Sequence, residues 1–216
     1  MTTTDLPVPF SSLLREATTA DHREAERSPF FGALLSGSLP LDAYVDMLAQ
    51  HRYAYAALEG AEAGVRHDPV VASVADPGLA RLAALDADLA DLGGADWSRR
   101  HPPSTATDAY VTRLHEVAGW PGGFVAHHYT RYLGDLSGGQ HIGRVVARHY
   151  GLTPDHGGRF SRFESISDPS AFKDAYRRSL DAAPWDHDER QEVVEEIRTA
   201  YRLNTAVFDD LARHVA

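Results

Sequence analysis

The chain contains no cysteine among its 216 residues. That excludes disulfides, thiolate-held iron, iron–sulfur clusters and any group attached through a Cys-x-x-Cys-His motif. Lysine is almost missing too: of 21 basic residues, only Lys173 is a lysine. Against them stand 31 acidic residues, and the formal net charge of −10 lacks the basic surface that a nucleic-acid partner requires. No uninterrupted apolar run reaches the ~18 residues of a membrane span. Residues 1–9 have neither the basic start nor the apolar stretch of a signal peptide. A cytoplasmic protein without a membrane partner is the expectation, and the lack of disulfides fits a reducing compartment. No Glu-x-x-His occurs anywhere, which counts against a di-iron carboxylate bundle.

What is present is ordinary globular composition, with 43% hydrophobic and 24% charged residues. At this length one domain with a sizeable core is expected. Residues 1–10 are read as a flexible tail and 11–216 as the domain. Start and stop signals recur at helix length. Ser28-Pro29, Asp76-Pro77 and Asp168-Pro169 each look like a cap followed by proline at the first helical position. Asp186 to Glu189 has the spacing of a capping box, and Gly37, Gly93-Gly94 and Gly151 stand where helices should end. Helices are expected over 11–27, 29–36, 41–66, 77–92, 105–118, 122–150, 169–181 and 187–214. Leucines at 79, 82, 85, 89 and 92 form a stripe of helical period. Residues 157–167 read as irregular, and the fold class is all-α.

The densest information lies in residues 129–143. Gly134, Gly138, Gly139 and Gly143 interrupt helical spacing, each at a cost of about 1 kcal/mol against alanine. Spaced four apart in two pairs, they leave a helix side bare, open to a flat ligand or to a second backbone. Asp135 is a lone carboxylate among them. Spacing alone does not separate a ligand site from a small-residue packing ridge.

The wording does. Arg131-Tyr-Leu-Gly-Asp-Leu-Ser-Gly-Gly-Gln140 resembles the signature of the heme oxygenases, in which this helix bends over the distal face of heme. The segment around Ala20-Asp-His-Arg-Glu-Ala-Glu26 is similar to that family's first helix. The resemblance implies a helical fold holding heme between a proximal and a glycine-kinked distal helix. It makes His22 the proximal iron ligand, with Glu26, four residues on, holding its second nitrogen. By spacing alone, His22 and Glu26 are equally well a solvated helix face. Arg15 lies seven residues before His22, two turns of a continuous helix, and stands where the family usually has lysine for a heme propionate.

Lys173 and Arg177, one helical turn apart, resemble the family's second propionate clamp, although spacing alone favours a plain basic face. Tyr129 matches a propionate-bonding tyrosine. Tyr55 and Arg131 match members of the distal water network around Asp135. Asn204 matches a pocket asparagine, and Tyr201 and Phe208 match aromatic wall positions that would otherwise read as core. Gly134, Gly138 and Gly139 would form the bare surface against heme.

The implied activity is oxidative cleavage of heme b, at once cofactor and substrate, to biliverdin with release of CO and ferrous iron. O2 is consumed, and electrons come from an external reductase or ferredoxin, since no flavin or nucleotide motif is present. A monomer is expected. A heme carrier or sensor would share His22 and the propionate clamp but has no use for Asp135 or the glycines. A helical scaffold without a heme site is the remaining alternative.

Overall fold

The computed structural model describes residues 8–215. Most of the expected tail, residues 1–7, lies outside the described residues, while Phe10 opens the first helix and is buried. Among the described residues no strand forms, only isolated bridges from Thr153 to His156 and Gly157. The described residues form twelve α-helices, α1 (Phe10–Ala17), α2 (Thr19–Glu26), α3 (Pro29–Ser36), α4 (Leu41–Val65), α5 (Pro69–Val74), α6 (Leu82–Gly93), α7 (Trp97–Arg100), α8 (Thr105–Glu116), α9 (Pro121–His128), α10 (Gln140–Tyr150), α11 (Pro169–Asp181) and α12 (His187–Leu211).

Two 25-residue helices organise the rest. α4 is apolar around most of its circumference, with Ala43, Val45, Leu48, Ala49, Ala54, Tyr55 and Leu58 all buried. A helix patterned in this way belongs inside a domain. It packs against α6, α8, α9 and α12. α12 buries Val193, Ile197, Ala200, Val207 and Leu211 on one side and contacts α2, α3, α8 and α9. α11 closes the far side against α1 and α5.

Caps account for most boundaries. Asp168 accepts from the amides of Ser170 and Ala171, both at 3.0 Å. Gly37 and Gly151 end their helices in the left-handed conformation that glycine adopts without strain. Ser28 precedes α3, but its hydroxyl is buried without a partner. Asp186 accepts from the Glu189 amide at 2.9 Å, whereas the Glu189 carboxylate takes the Trp120 indole N–H at 2.8 Å rather than completing a capping box.

Four expectations are corrected. The helix read as 11–27 breaks at Thr18 (φ −106°, ψ 4°). Thr18 and Thr19 turn their hydroxyls back onto the carbonyls of Leu14 and Arg15, which competes with straight helix. The two-turn offset from Arg15 to His22 therefore does not run along one continuous axis. The helix read as 77–92 is a 3₁₀ turn (Pro77–Leu79) followed by α6. The Glu59 carboxylate takes the amides of Arg81 and Leu82 at 2.6 and 3.0 Å and starts the helix there. α5 was missed although Asp68-Pro69 repeats the cap signal used elsewhere, with Asp68 accepting from Val70 and Val71. The four-residue α7 was missed as well, and no side-chain cap marks its start.

The segment between α10 and α11 is irregular, as expected, yet it contributes Phe160, Phe163 and Ile166 to the core. Charged side chains hold it in place of secondary structure. Buried Asp88 accepts from the amides of Arg159 and Phe160 at 3.1 and 2.8 Å. The Arg81 guanidinium lies 3.9 Å from the Phe163 ring centroid and donates to the carbonyls of Leu79, Phe160 and Arg162.

Candidate functional site

Between α9 and α10 the chain continues as helix but widens. Residues Tyr129–Leu133 and Asp135–Gly139 form two π-helical turns, with Gly134 between them. Such turns are rare and concentrate at functional sites. Gly134 and Gly139 have ordinary helical backbone angles, and neither they nor Gly138 takes a positive φ. Their lack of side chain is therefore not a backbone requirement. A Cβ at Gly134 or Gly138 would meet nothing within 4 Å, and one at Gly139 would make only ordinary contact with Asp135. What these glycines preserve is empty space. Gly143 differs, because a Cβ there would overlap the Ser161 side chain. Open space and close packing are thus both found among these glycines, at different positions.

That space is a cavity of about 480 Å³, inside the usual small-molecule range of roughly 300–1,000 Å³. His22 on α2 lines it, as do Arg131, Gly134, Asp135, Gly138 and Gly139 on the widened stretch and Tyr201, Asn204 and Phe208 on α12. Nine of the residues named from sequence thus share one wall. His22 is exposed at its rim, its ring edge-on to Tyr201 at 5.9 Å. Phe31, Met47 and Phe160 supply apolar surface.

Tyr55 reaches the site from α4. Its hydroxyl donates to Oδ2 of Asp135. Arg131 is 7% exposed, donates from Nη1 to the Asn204 carbonyl oxygen at 2.6 Å, and lies 4.7 Å from the Tyr55 ring centroid. Burial works against the Arg131 charge, but Tyr55, Tyr110 and Asp135 outweigh it, and its proton affinity rises. Asp135 moves the other way. Burial raises its pKa against the pull of Arg131, the Tyr55 hydrogen bond and Arg81. The result is a carboxylate that holds a proton more readily than an exposed one does.

The proposed carboxylate-binding groups lie outside the cavity wall. Lys173 Nζ donates to the hydroxyl of Ser137, a wall residue, at 3.2 Å. Arg177 is paired instead with Asp174 at 2.7 Å, on the exposed face of α11. Tyr129 is largely buried, which raises its pKa, while the charges of Arg177 and Arg15 act on it in the opposite sense. Arg15, Tyr129 and Arg177 therefore form one electrostatic neighbourhood. Glu26 closes α2, and its side chain lies outside the described residues.

Among the wall positions that sequence reasoning missed are His51, Phe160 and His141. His51 precedes Tyr55 by one helical turn, a spacing that could have pointed to it. Phe160 sits in the irregular segment, where no periodicity exists to find it. His127 and His128 are buried, bonded to Glu196 at 2.9 Å and to the Tyr176 hydroxyl at 2.8 Å. Among the described residues no cluster of three or more His, Asp or Glu side chains could hold a metal ion by itself. None of their helices is long and apolar enough to cross a membrane.

A side-chain-free helical wall, one imidazole at the rim and a buried carboxylate–phenol–guanidinium group define the cavity of this all-α protein. The comparisons with known proteins are of one kind. The heme oxygenase family model matches residues 8–210. Heme oxygenase 1 of Gallus gallus is 38% identical over 209 residues, 95% of this chain and 71% of that one. The heme oxygenase of Porphyra purpurea is 35% identical over 199 residues, 92% of this chain and 84% of that one. Among solved structures, heme oxygenase-1 of the cyanobacterium Synechocystis in complex with heme superposes with a TM-score of 0.88 at 34% identity, covering 94% of this chain and 92% of that one. The chain belongs to the heme oxygenase family.

Proposed function

We propose that this chain binds heme in the cavity through His22 and cleaves it oxidatively to biliverdin, with release of CO and ferrous iron. One observation carries the reading: the side-chain-free wall at Gly134 and Gly138 and the Tyr55–Asp135 pair share a cavity with His22. The residues present fit heme on two counts. Side chains at Gly134 and Gly138 would fill the space a flat ring needs, and Arg131 keeps buried Nε and Nη2 atoms without a partner. Bound heme would supply the redox chemistry, activating O2 for attack on its own ring.

The chain's own residues do the rest. His22 offers a ring nitrogen to iron. Asp135 holds a proton and passes it on through water, its affinity raised by burial. Tyr55 fixes the Asp135 carboxylate, and Asn204 fixes Arg131 beside it. Phe31, Phe160 and Phe208 keep bulk water away. Arg15, Tyr129, Lys173 and Arg177 take the two heme carboxylates, for which Arg177 exchanges Asp174 as its partner. Electrons come from a separate ferredoxin or flavoprotein reductase, and the protein acts as a cytoplasmic monomer.

Hemin titration followed by aerobic reduction tests this. Saturable growth of a Soret band, then its loss as biliverdin and CO appear, is the expected outcome. A heme complex that survives reduction in air would leave a carrier, and no saturable binding would leave a scaffold.

A further inference from the structure

A second cavity, of about 630 Å³, lies between α1 and the start of α12. It shares no lining residue with the cavity that holds His22 and Asp135, and its volume is also in the small-molecule range of roughly 300–1,000 Å³. Its surface is largely apolar. Phe10 meets Trp185 edge-on at 5.8 Å, and Val194 adds aliphatic surface from α12. Leu13 lines the cavity yet is 43% exposed, one of four large apolar side chains among the described residues that the fold leaves in water.

One cation stands over this surface without a counterion. The Arg190 guanidinium lies 5.4 Å from the Phe10 ring centroid. Its Nε is buried with no partner, whereas Nη1 and Nη2 stay accessible and no acceptor among the described residues bonds them. Arg198, the other arginine of the wall, is committed: it pairs with Glu195 at 2.6 Å and donates to the Ala17 carbonyl. Glu16 and Asp186 line the same cavity, but neither forms an ion pair with Arg190, and Asp186 accepts the Glu189 amide instead.

A guanidinium laid on an aromatic ring keeps its edge donors for a carboxylate, which accepts them as a fork. The apolar surface beside it asks for a hydrophobic body. The two wall carboxylates disfavour a ligand that carries several negative charges. We propose that this cavity is a second ligand site, for a molecule with a flat apolar body and a single carboxylate. The body lies on Phe10, Trp185 and Leu13, and the carboxylate takes the terminal nitrogens of Arg190. This site is independent of the heme reading.

Titration of the full chain with 2-naphthoate tests it, followed by NMR at the indole N–H signals. The chain has three tryptophans, and Trp185→Phe assigns the relevant signal. The Trp185 signal should shift saturably while that of Trp97 stays in place. The uncharged twin, 2-naphthamide, should bind at least about tenfold more weakly, and so should naphthoate to Arg190→Gln, each having lost a charge-assisted contact. Leu13→Asp, a change at an exposed position that keeps the fold, should abolish the shift. No saturable shift at Trp185, equal affinity for acid and amide, or undiminished binding in Arg190→Gln overturns the proposal. A Trp185 signal that moves with protein concentration alone would give the cavity to a second copy of the chain and overturn it too.

Discussion

Tyr55 donates its hydroxyl to Asp135 across 80 residues of sequence, and its ring lies within 4.7 Å of the Arg131 guanidinium. One phenol thus joins a carboxylate that burial makes proton-seeking to the cation that restrains it. The central helix α4 and the widened stretch after α9 are tied together at the carboxylate proposed to hold the proton.

Asp135→Ala removes that proton holder without touching the side-chain-free wall. Hemin affinity should stay near the wild-type value while the rate of biliverdin formation falls by at least about tenfold, equivalent to ~1.4 kcal/mol in the barrier. Tyr55→Phe should give a smaller loss in the same direction. A wild-type rate in Asp135→Ala would remove the carboxylate from the mechanism.

His22 is exposed on a two-turn helix, so alanine there should cost the apoprotein no more than about 0.5 kcal/mol. The hemin complex should lose its normal axial ligation and its turnover, and added imidazole should recover part of the spectrum. An unaltered spectrum in His22→Ala would mean that another residue binds the iron.

The glycines allow a contrast within one helix. A Cβ at Gly138 would meet nothing within 4 Å, so Gly138→Leu should leave the apoprotein as stable or up to ~1 kcal/mol more stable, yet hemin should bind poorly. Gly143→Leu drives a side chain into Ser161 and should destabilise the fold. Equal hemin affinity in wild type and Gly138→Leu would show that the bare wall guards nothing.

Lys173 and Arg177 should act on orientation more than on chemistry. A charge-assisted hydrogen bond is worth roughly 1.5–3 kcal/mol, enough to select one in-plane placement of the ring. The double variant Lys173→Ala, Arg177→Ala should keep turnover, bind hemin more weakly and give a mixture of biliverdin isomers on product chromatography. A single wild-type isomer at undiminished affinity would leave both residues as solvated surface.

Glu196 links stability to pH. Burial raises its pKa, but hydrogen bonds from His127 at 2.9 Å and Arg113 at 3.0 and 2.6 Å prevail and hold it at about 2. The unfolded chain, with an ordinary glutamate near 4.3, takes up the proton first as pH falls. The stabilisation is therefore complete above pH ~4.3 and fades as pH approaches 2. Glu196→Gln should lose roughly 1.5–3 kcal/mol at pH 7 in urea denaturation and show less acid dependence. Matching acid limbs in the two proteins would refute the assignment.

Most of the helical frame was legible because its signals are local. Asp168 and Asp186 cap where their spacing to proline or glutamate says they should, and Gly37 and Gly151 stop helices through a conformation that glycine tolerates. The Thr18 break was not legible, because it depends on hydroxyls returning to the preceding turn. Nor was the start of α6, which depends on Glu59, more than twenty residues away. The site divides along the same line. Its glycines and Asp135 form one continuous word in the sequence, whereas Phe160 reaches the wall only because Asp88 and Arg81 hold an aperiodic segment there. His51 lay in plain view on α4 but looked like any other of twelve histidines.

The two π-helical turns also set a length. Each accommodates more residues per turn than an α-helix does, so losing one residue between Tyr129 and Gly139 would let a turn close to α geometry. In an α-helix one residue corresponds to a rotation of about 100°. A deletion there would swing His141, Ile142 and Val146 off the cavity wall and carry Gly143 away from Ser161. The stretch therefore behaves as a counted spacer. It should accept exchanges of side chain on its outer surface far more readily than any change in the number of its residues.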